Sequence, residues 1–312
     1  MATTDYLPLL NKGLRENYDL AASDYPLMAK DLFHVMPSKS RYEMEQTWGG
    51  YQLPQPRLDG TSIQSGSFFP SFNKVYTHIN YGLSDILPNE AIDDDVYGMM
   101  FGWAAGRGGM MARAFTDLQE IVAANWFAAQ YTNSTSIAGS PDGTGLFSTS
   151  HPLSPNSATV QSNVAASNLD LANSAMDVAR YNLQLQKAPN NITIRRNKIK
   201  TLVINPKLEK VAKQIQKGDW VNGTANRDMN TLQNTFNIMS WPYWTASGAA
   251  SSTAYNSWFV QGDEHFLKWY DREDVKFDSQ KLLSVNSIYF AAMMRFSFGE
   301  TSWYGTYASP GN

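Results

Sequence analysis

Residues 41–81 read RYEMEQTWGGYQLPQPRLDGTSIQSGSFFPSFNKVYTHINY, and residues 93–131 read DDDVYGMMFGWAAGRGGMMARAFTDLQEIVAANWFAAQY. The first stretch begins and ends on alternation. Tyr42, Met44 and Gln46 stand opposite Arg41, Glu43 and Glu45, and Val75, Thr77, Ile79 and Tyr81 stand opposite Lys74, Tyr76, His78 and Asn80. That period of two is the signature of strands. Between the two runs lie Gly49-Gly50, Pro54, Pro56, Asp59-Gly60 and Pro70, the punctuation of a long tip. Residues 41–92 therefore predict an extended hairpin with a polar tip. An isolated two-stranded hairpin is marginal in water, so something else must cover it.

The second stretch predicts a helix. Asp93, Asp94 and Asp95 put carboxylates where unpaired N–H groups and the macrodipole favour them. From Val96 to Tyr131 there is no proline, and Phe115, Leu118, Ile121, Val122, Asn125, Trp126 and Ala129 recur at helical spacing. Unbroken, such a helix would run roughly 50 Å at about 1.5 Å per residue, which is long for a globular domain. Gly102, Gly106, Gly108 and Gly109 weaken its first half and predict a bend.

Outward from this pair the pattern is mixed. Residues 1–40 are broken by Pro8, Pro26 and Pro37 and read as an arm with one short helix around Asp24 to Val35. Residues 132–168 are loop-like. A helix is expected from Leu169 to about Lys187, and strands at Ile192–Ile194 and Lys200–Ile204. Asn205-Pro206 has the form of an N-cap followed by proline at the first helical position, with Gly218 just past the end. Trp241–Trp244, Trp258–Val260 and Ser287–Gly299 read as strands. No βαβα rhythm appears, so the fold class is α+β.

Composition narrows the function. The 312 residues are 43% hydrophobic but only 17% charged, with 9 Trp, 16 Tyr and 15 Phe. A soluble domain carries about 25% charged residues, whereas interface cores are depleted in charge and rich in aromatics. The surface is thus suited to being covered by neighbours; a β-rich carbohydrate-active enzyme is the alternative from another class. Cysteine is absent, which removes disulfides, thiolate metal sites and cysteine nucleophiles. No apolar run approaches the ~20 residues that span a bilayer. The net charge of −3 excludes a strongly basic nucleic-acid reader.

Candidate chemistry is thin. His34, His78, His151 and His265 are well separated, so neither a clustered metal site nor a positioned catalytic base is visible. His151, with Asp142 and Ser148 nearby, is the one to weigh, and His-Pro in a Ser/Thr loop reads better as a turn. Ala104–Gly109 lacks the strand and the GK[ST] ending of a phosphate loop. The trio Asp93–Asp95 has cation-binding chemistry, which helix capping explains more simply. Arg195, Arg196, Lys198, Lys200, Lys207, Lys210, Lys213 and Lys217 against Glu209 form a basic segment, either a contact for DNA or an acidic neighbour or a solvated helix face. No catalytic, cofactor-binding or metal-ligating residue is expected.

The order of elements, with LFSTSHPL at 146–153, LVINPKLEKVA at 202–212, RFSFG at 295–299, Trp303 and YASPG at 307–311, resembles the major capsid proteins of tailed bacteriophages, whose fold is shared with herpesvirus capsid floors and encapsulins. The resemblance implies an N-terminal arm (1–40), an extended E-loop hairpin (41–92) and a peripheral domain with a spine helix (93–140). An axial domain (141–275) and peripheral-domain strands with a C-terminal tail (276–312) would follow. It implies hexamers and pentamers of the chain itself, no cofactor and no membrane. A separate scaffolding protein, a portal, a decoration protein and packaged double-stranded DNA bound without sequence specificity are the implied partners. The implied location is the virion, after assembly in the host cytoplasm. An encapsulin-like compartment shell is the alternative within the same fold.

Overall fold

The computed structural model describes residues 6–47, 49–90, 94, 107–131, 140–155, 157–194, 197–221, 228–244 and 254–311. In chain order they form α1 (Tyr6–Asp24), a 3₁₀ turn (Ala29–Leu32), β1 (His34–Pro37), β2 (Tyr42–Gln46), β3 (Gly50–Tyr51), β4 (Phe68–Phe69), β5 (Asn73–Thr77), β6 (Ile79–Pro88) and α2 (Arg107–Ala129). Then come β7 (His151–Pro152), β8 (Val160–Gln161), α3 (Asn173–Leu185), β9 (Ile199–Ile204), a 3₁₀ turn (Pro206–Leu208), α4 (Glu209–Lys217), β10 (Asn237–Ser240), β11 (Trp258–Gly262), β12 (Phe266–Leu282), β13 (Ser287–Ser302) and β14 (Thr306–Ser309). The mixture is α+β, as the sequence indicates.

The chain divides into two units, Met1–Glu43 with Tyr76–Ala123 and Lys268–Phe298, and Met44–Val75 with Ala124–Leu267 and Gly299–Asn312. The first is built on a sheet of order β1-β12-β13-β6, with β13 and β6 antiparallel from Ser287↔Pro88 to Phe296↔Ile79. Alternation along β13 sends Phe290, Ala292, Met294 and Phe296 inward, while Met293 and Arg295 are exposed. Trp269 of β12 lies fully buried against Phe296 and Phe298, each at 4.9 Å between ring centroids, and against Phe33 at 5.6 Å. Its indole N–H donates to Asp271 at 2.8 Å, so the one polar atom of a buried ring is satisfied. Glu120 of α2 is likewise buried, and its carboxylate accepts from the backbone N–H groups of Met28 and Ala29. Those are the unpaired donors at the start of the Ala29–Leu32 turn, which an anion satisfies.

The arm departs from expectation. Helix α1 covers Tyr6–Asp24 and Ala29–Leu32 is only a 3₁₀ turn, where a short helix at Asp24–Val35 was expected. Pro8 falls in the first helical turn, where its missing N–H costs nothing, and Gly13 sits in open space, so neither interrupts the helix. The Asp93–Asp95 start of the long helix and its glycines Gly102 and Gly106 lie outside the described residues, apart from Asp94. Gly108 and Gly109 are buried in the first turn of α2, consistent with close packing at that end.

The second unit holds the sheet β10-β9-β11-β14. Strands β11 and β9 are antiparallel, and β10 runs parallel to β9. One core contains Met176, Ala179 and Leu183 of α3, Ala212 and Ile215 of α4, and Leu202, Ile204, Trp258, Val260 and Tyr307 from the sheet. A second cluster is aromatic: Phe127 stacks on Phe259 at 5.1 Å, with Trp241 and Trp244 at its edges. Helix α4 begins as read from sequence, with the Asn205 side chain accepting from Lys207 N at 3.1 Å, although its first turn is 3₁₀. Gly218 closes it with φ −67°; a Cβ there would meet Gln214 O at 2.5 Å. Ile192–Ile194 gives only an isolated bridge, Lys187↔Thr193.

Candidate assembly surface

Strands β2 and β5 pair, as do β3 and β4, and Tyr51 and Phe68 close the ladder before the chain leaves into a loop at residues 52–67. The hairpin is present, but its faces are the reverse of the usual arrangement. In β2 the acidic residues Glu43 and Glu45 are the half-buried ones, while Tyr42 and Met44 are exposed. In β5 Tyr76 is buried and Val75 exposed. The acids are held: Ser38 donates to Glu43 at 2.6 Å and Thr301 to Glu45 at 2.8 Å. Each strand of the hairpin thus presents apolar side chains outward.

The tip, expected to be polar, carries more of the same. Tyr51, Leu53, Leu58, Ile63 and Phe68 are all exposed, Leu58 at 77% and Ile63 at 80%. Residues 51–68 contain no buried or half-buried position. A single exposed leucine is ordinary, whereas a run of them on one loop marks an interaction surface. The signal was in the sequence as Leu53, Leu58, Ile63 and Phe68, five residues apart, a spacing that fits neither helix nor strand. At its base the loop is anchored by Asn190, which donates to Tyr51 O at 3.2 Å. Gly50 permits that approach, since a Cβ there would lie 2.8 Å from Asn190 Nδ2.

His151 sits in a buried hydrogen-bonded cluster. It is 1% exposed, its Nδ1 lies 2.6 Å from Asp142 and its Nε2 3.1 Å from Asn163 Oδ1, and Trp303 stacks on the ring at 4.6 Å. Asn163 is oriented by donating to Leu146 O and Thr306 Oγ1. The histidine is therefore a structural hub that ties the 140–153 loop to β14. Burial alone would raise the Asp142 carboxyl, but the bond and charge of His151, with Thr144, hold it below its ordinary value.

Glu300, beside the same cavity, is the group the sequence did not reveal. It is 2% exposed, and its Oε2 has no hydrogen-bond partner among the described residues. The cavity it shares with Asp142 and His151 holds about 10 Å³, at the lower limit for one water and far too small for a sugar. Burial pushes the Glu300 carboxyl up to about 7, with Asp142 adding to the rise and Lys74 and Ser140 opposing it. A carboxyl raised in the folded state contributes stability below its unfolded value of 4.5 and loses it as pH rises through about 7. Glu300→Gln is thus expected to match the parent near pH 4.5 and to exceed it above pH 7. The gain is about 3 kcal/mol at 1.36 kcal/mol per unit, measured by chemical unfolding across that range. Equal pH profiles for the two chains would contradict the assignment.

The remaining candidates stay apart. Arg195 and Arg196 lie outside the described residues. Lys207 on the preceding 3₁₀ turn and Lys210, Lys213 and Lys217 on α4 are exposed, with Lys213 paired to Glu209, as a solvated face would be. Among the described residues no group of three or more His, Asp or Glu is placed to hold a metal ion, and no helix is long and apolar enough to cross a membrane.

A family model described as phage capsid protein matches residues 82–309. No curated protein sequence matches the chain. Among solved structures, the capsid of an empty GTA particle is 10% identical, with 91% of this chain and 89% of that one covered and a TM-score of 0.53. The capsid of cyanophage P-SCSP1u is 13% identical over 89% of this chain and 86% of that one, at 0.53. A chain of Mycobacterium phage Adephagia is 12% identical over 91% and 90%, at 0.51. At identities this low it is the TM-scores above 0.5 over most of both chains that establish a shared fold.

Proposed function

Because the chain belongs to the phage capsid protein family and is a major capsid protein, a structural subunit of a head shell and not an enzyme, we propose that its copies close into hexamers and pentamers. These build an icosahedral shell around the double-stranded DNA of a tailed phage. The observation that carries this reading is the uncovered loop at 51–68 with its outward apolar side chains. In a shell that loop is the E-loop, laid over an adjacent copy that buries it. Helix α2 then belongs to the spine of a peripheral domain, and the β10-β9-β11-β14 sheet to an axial domain. Ring closure follows from repeating one heterologous contact.

Scaffolding, portal and decoration proteins are the further partners in this reading, with assembly in the host cytoplasm. The test is purification of shells from infected cells, followed by nucleic-acid analysis and image classification of the capsomers. Rings of six and five around packaged duplex DNA are expected. Shells free of DNA and filled with a protein cargo would overturn the phage-head reading in favour of an encapsulin-like compartment.

A further inference from the structure

The outward face of the β1-β12-β13-β6 sheet carries a cluster of arginines that the shell reading leaves unexplained. Arg295 of β13 and Asn80 of β6 are register partners, and β12 with Arg272 is the next strand. Together with Arg41 and His78 these residues line one cleft of about 310 Å³. The opposite face is occupied, with Gln119 of α2 lying 3.6 Å from Met294 Sδ.

The guanidinium groups are poorly neutralised. Arg41 makes no hydrogen bond or ion pair among the described residues. Arg272 gives one N–H to Ser38 O at 3.3 Å. Arg295 stands 3.6 Å from Glu273, a carboxylate it shares with Lys276. Glu43, the other acid nearby, is engaged by the Ser38 hydroxyl. Since Ser38 donates its proton there, His78 Nε2 at 3.0 Å must donate to Ser38 Oγ. His78 Nδ1 lies 3.0 Å from Ser297 Oγ, so the histidine is held at both ring nitrogens. Burial holds it below its ordinary value, and Arg272 and Arg295 act in the same direction against Glu43.

Such a cleft has the chemistry of an oxyanion site, because guanidinium forks bind carboxylates bidentately. A nucleic-acid strand is a poor fit. Glu43, bonded to Ser38, and Glu273, beside Arg295, flank the cleft, so a polyanion would meet two carboxylates. One or two carboxylates meet no such barrier. The chain itself supplies them: it carries 28 acidic against 25 basic residues, with 16 acidic and 9 basic in residues 1–160.

We infer that Arg41, Arg272 and Arg295 form an intersubunit carboxylate site, filled by acidic side chains of a second copy of this chain. The inference rests on the shell reading.

The test uses the full chain and three proteins: the parent, Arg41→Ala/Arg295→Ala, and Arg41→Lys/Arg295→Lys. Both mutated positions are exposed, so all three should melt together. The alanine variant should need about tenfold more protein to form shells, equivalent to ~1.4 kcal/mol, and the lysine variant should fall between. At matched ionic strength, citrate should inhibit assembly of the parent and spare the alanine variant. Equal assembly thresholds, equal citrate sensitivity, or full rescue by lysine would overturn the inference. So would a variant that builds normal shells and loses DNA, which would assign the cleft to nucleic acid. A parent that forms no shells would overturn the shell reading itself.

Discussion

A chain in which residues 52–67 are replaced by Asn-Gly is expected to fold and to fail to assemble. Tyr51 and Phe68 are paired across β3 and β4, and Asn-Gly supplies the two-residue turn that such a pair accepts. Residues 51–68 include no buried position, so deletion of the loop removes almost no core contact. Its apolar side chains, Leu53, Leu58 and Ile63 among them, are exposed, as a contact with a neighbouring copy requires. The expected result is an unchanged far-ultraviolet spectrum, a melting temperature close to the parent's, and complete loss of shells in sedimentation at concentrations where the parent assembles. Normal shells from the shortened chain would remove the loop from the assembly interface.

The second large effect is in the first unit's core. Trp269→Ala is expected to cost about 3–5 kcal/mol, the usual range for removing a large buried aromatic. The ring is fully buried between Phe33, Phe296 and Phe298, and Lys30 sits 5.5 Å above it while bonding Asp271 at 2.9 Å. Truncation therefore opens a cavity and strips Asp271 of its indole donor. Trp269→Phe keeps much of the stack and should lose less than half as much. Chemical unfolding followed by circular dichroism measures both; a loss under about 1 kcal/mol for the alanine variant would show that the site relaxes around the hole.

Much of the architecture was legible because it is written locally. The period of two in Arg41–Trp48 and Lys74–Tyr81 located β2, β5 and the start of β6, and Asn205-Pro206 with Gly218 bracketed α4. Which hairpin face is covered could not be read that way, because alternation separates two faces without saying which is buried. Here the half-buried face of β2 is the acidic one. Strand β12 escaped notice because Asp271, Arg272, Glu273 and Asp274 run consecutively, which looks like a solvated turn; its pairing with β1 and its buried Trp269 come from tertiary structure. The same holds for the two polar clusters. Glu300 joins Asp142 and His151 from far along the chain, and Arg41, Arg272 and Arg295 converge from three segments. No spacing rule connects residues so distant.

The central expectation is self-assembly of the purified chain. Electron microscopy of the full-length protein, taken across a rise in concentration, is predicted to show capsomer rings that give way to closed shells. A protein that stays a monodisperse monomer throughout, with the 51–68 loop as protease-accessible at high concentration as at low, would contradict it.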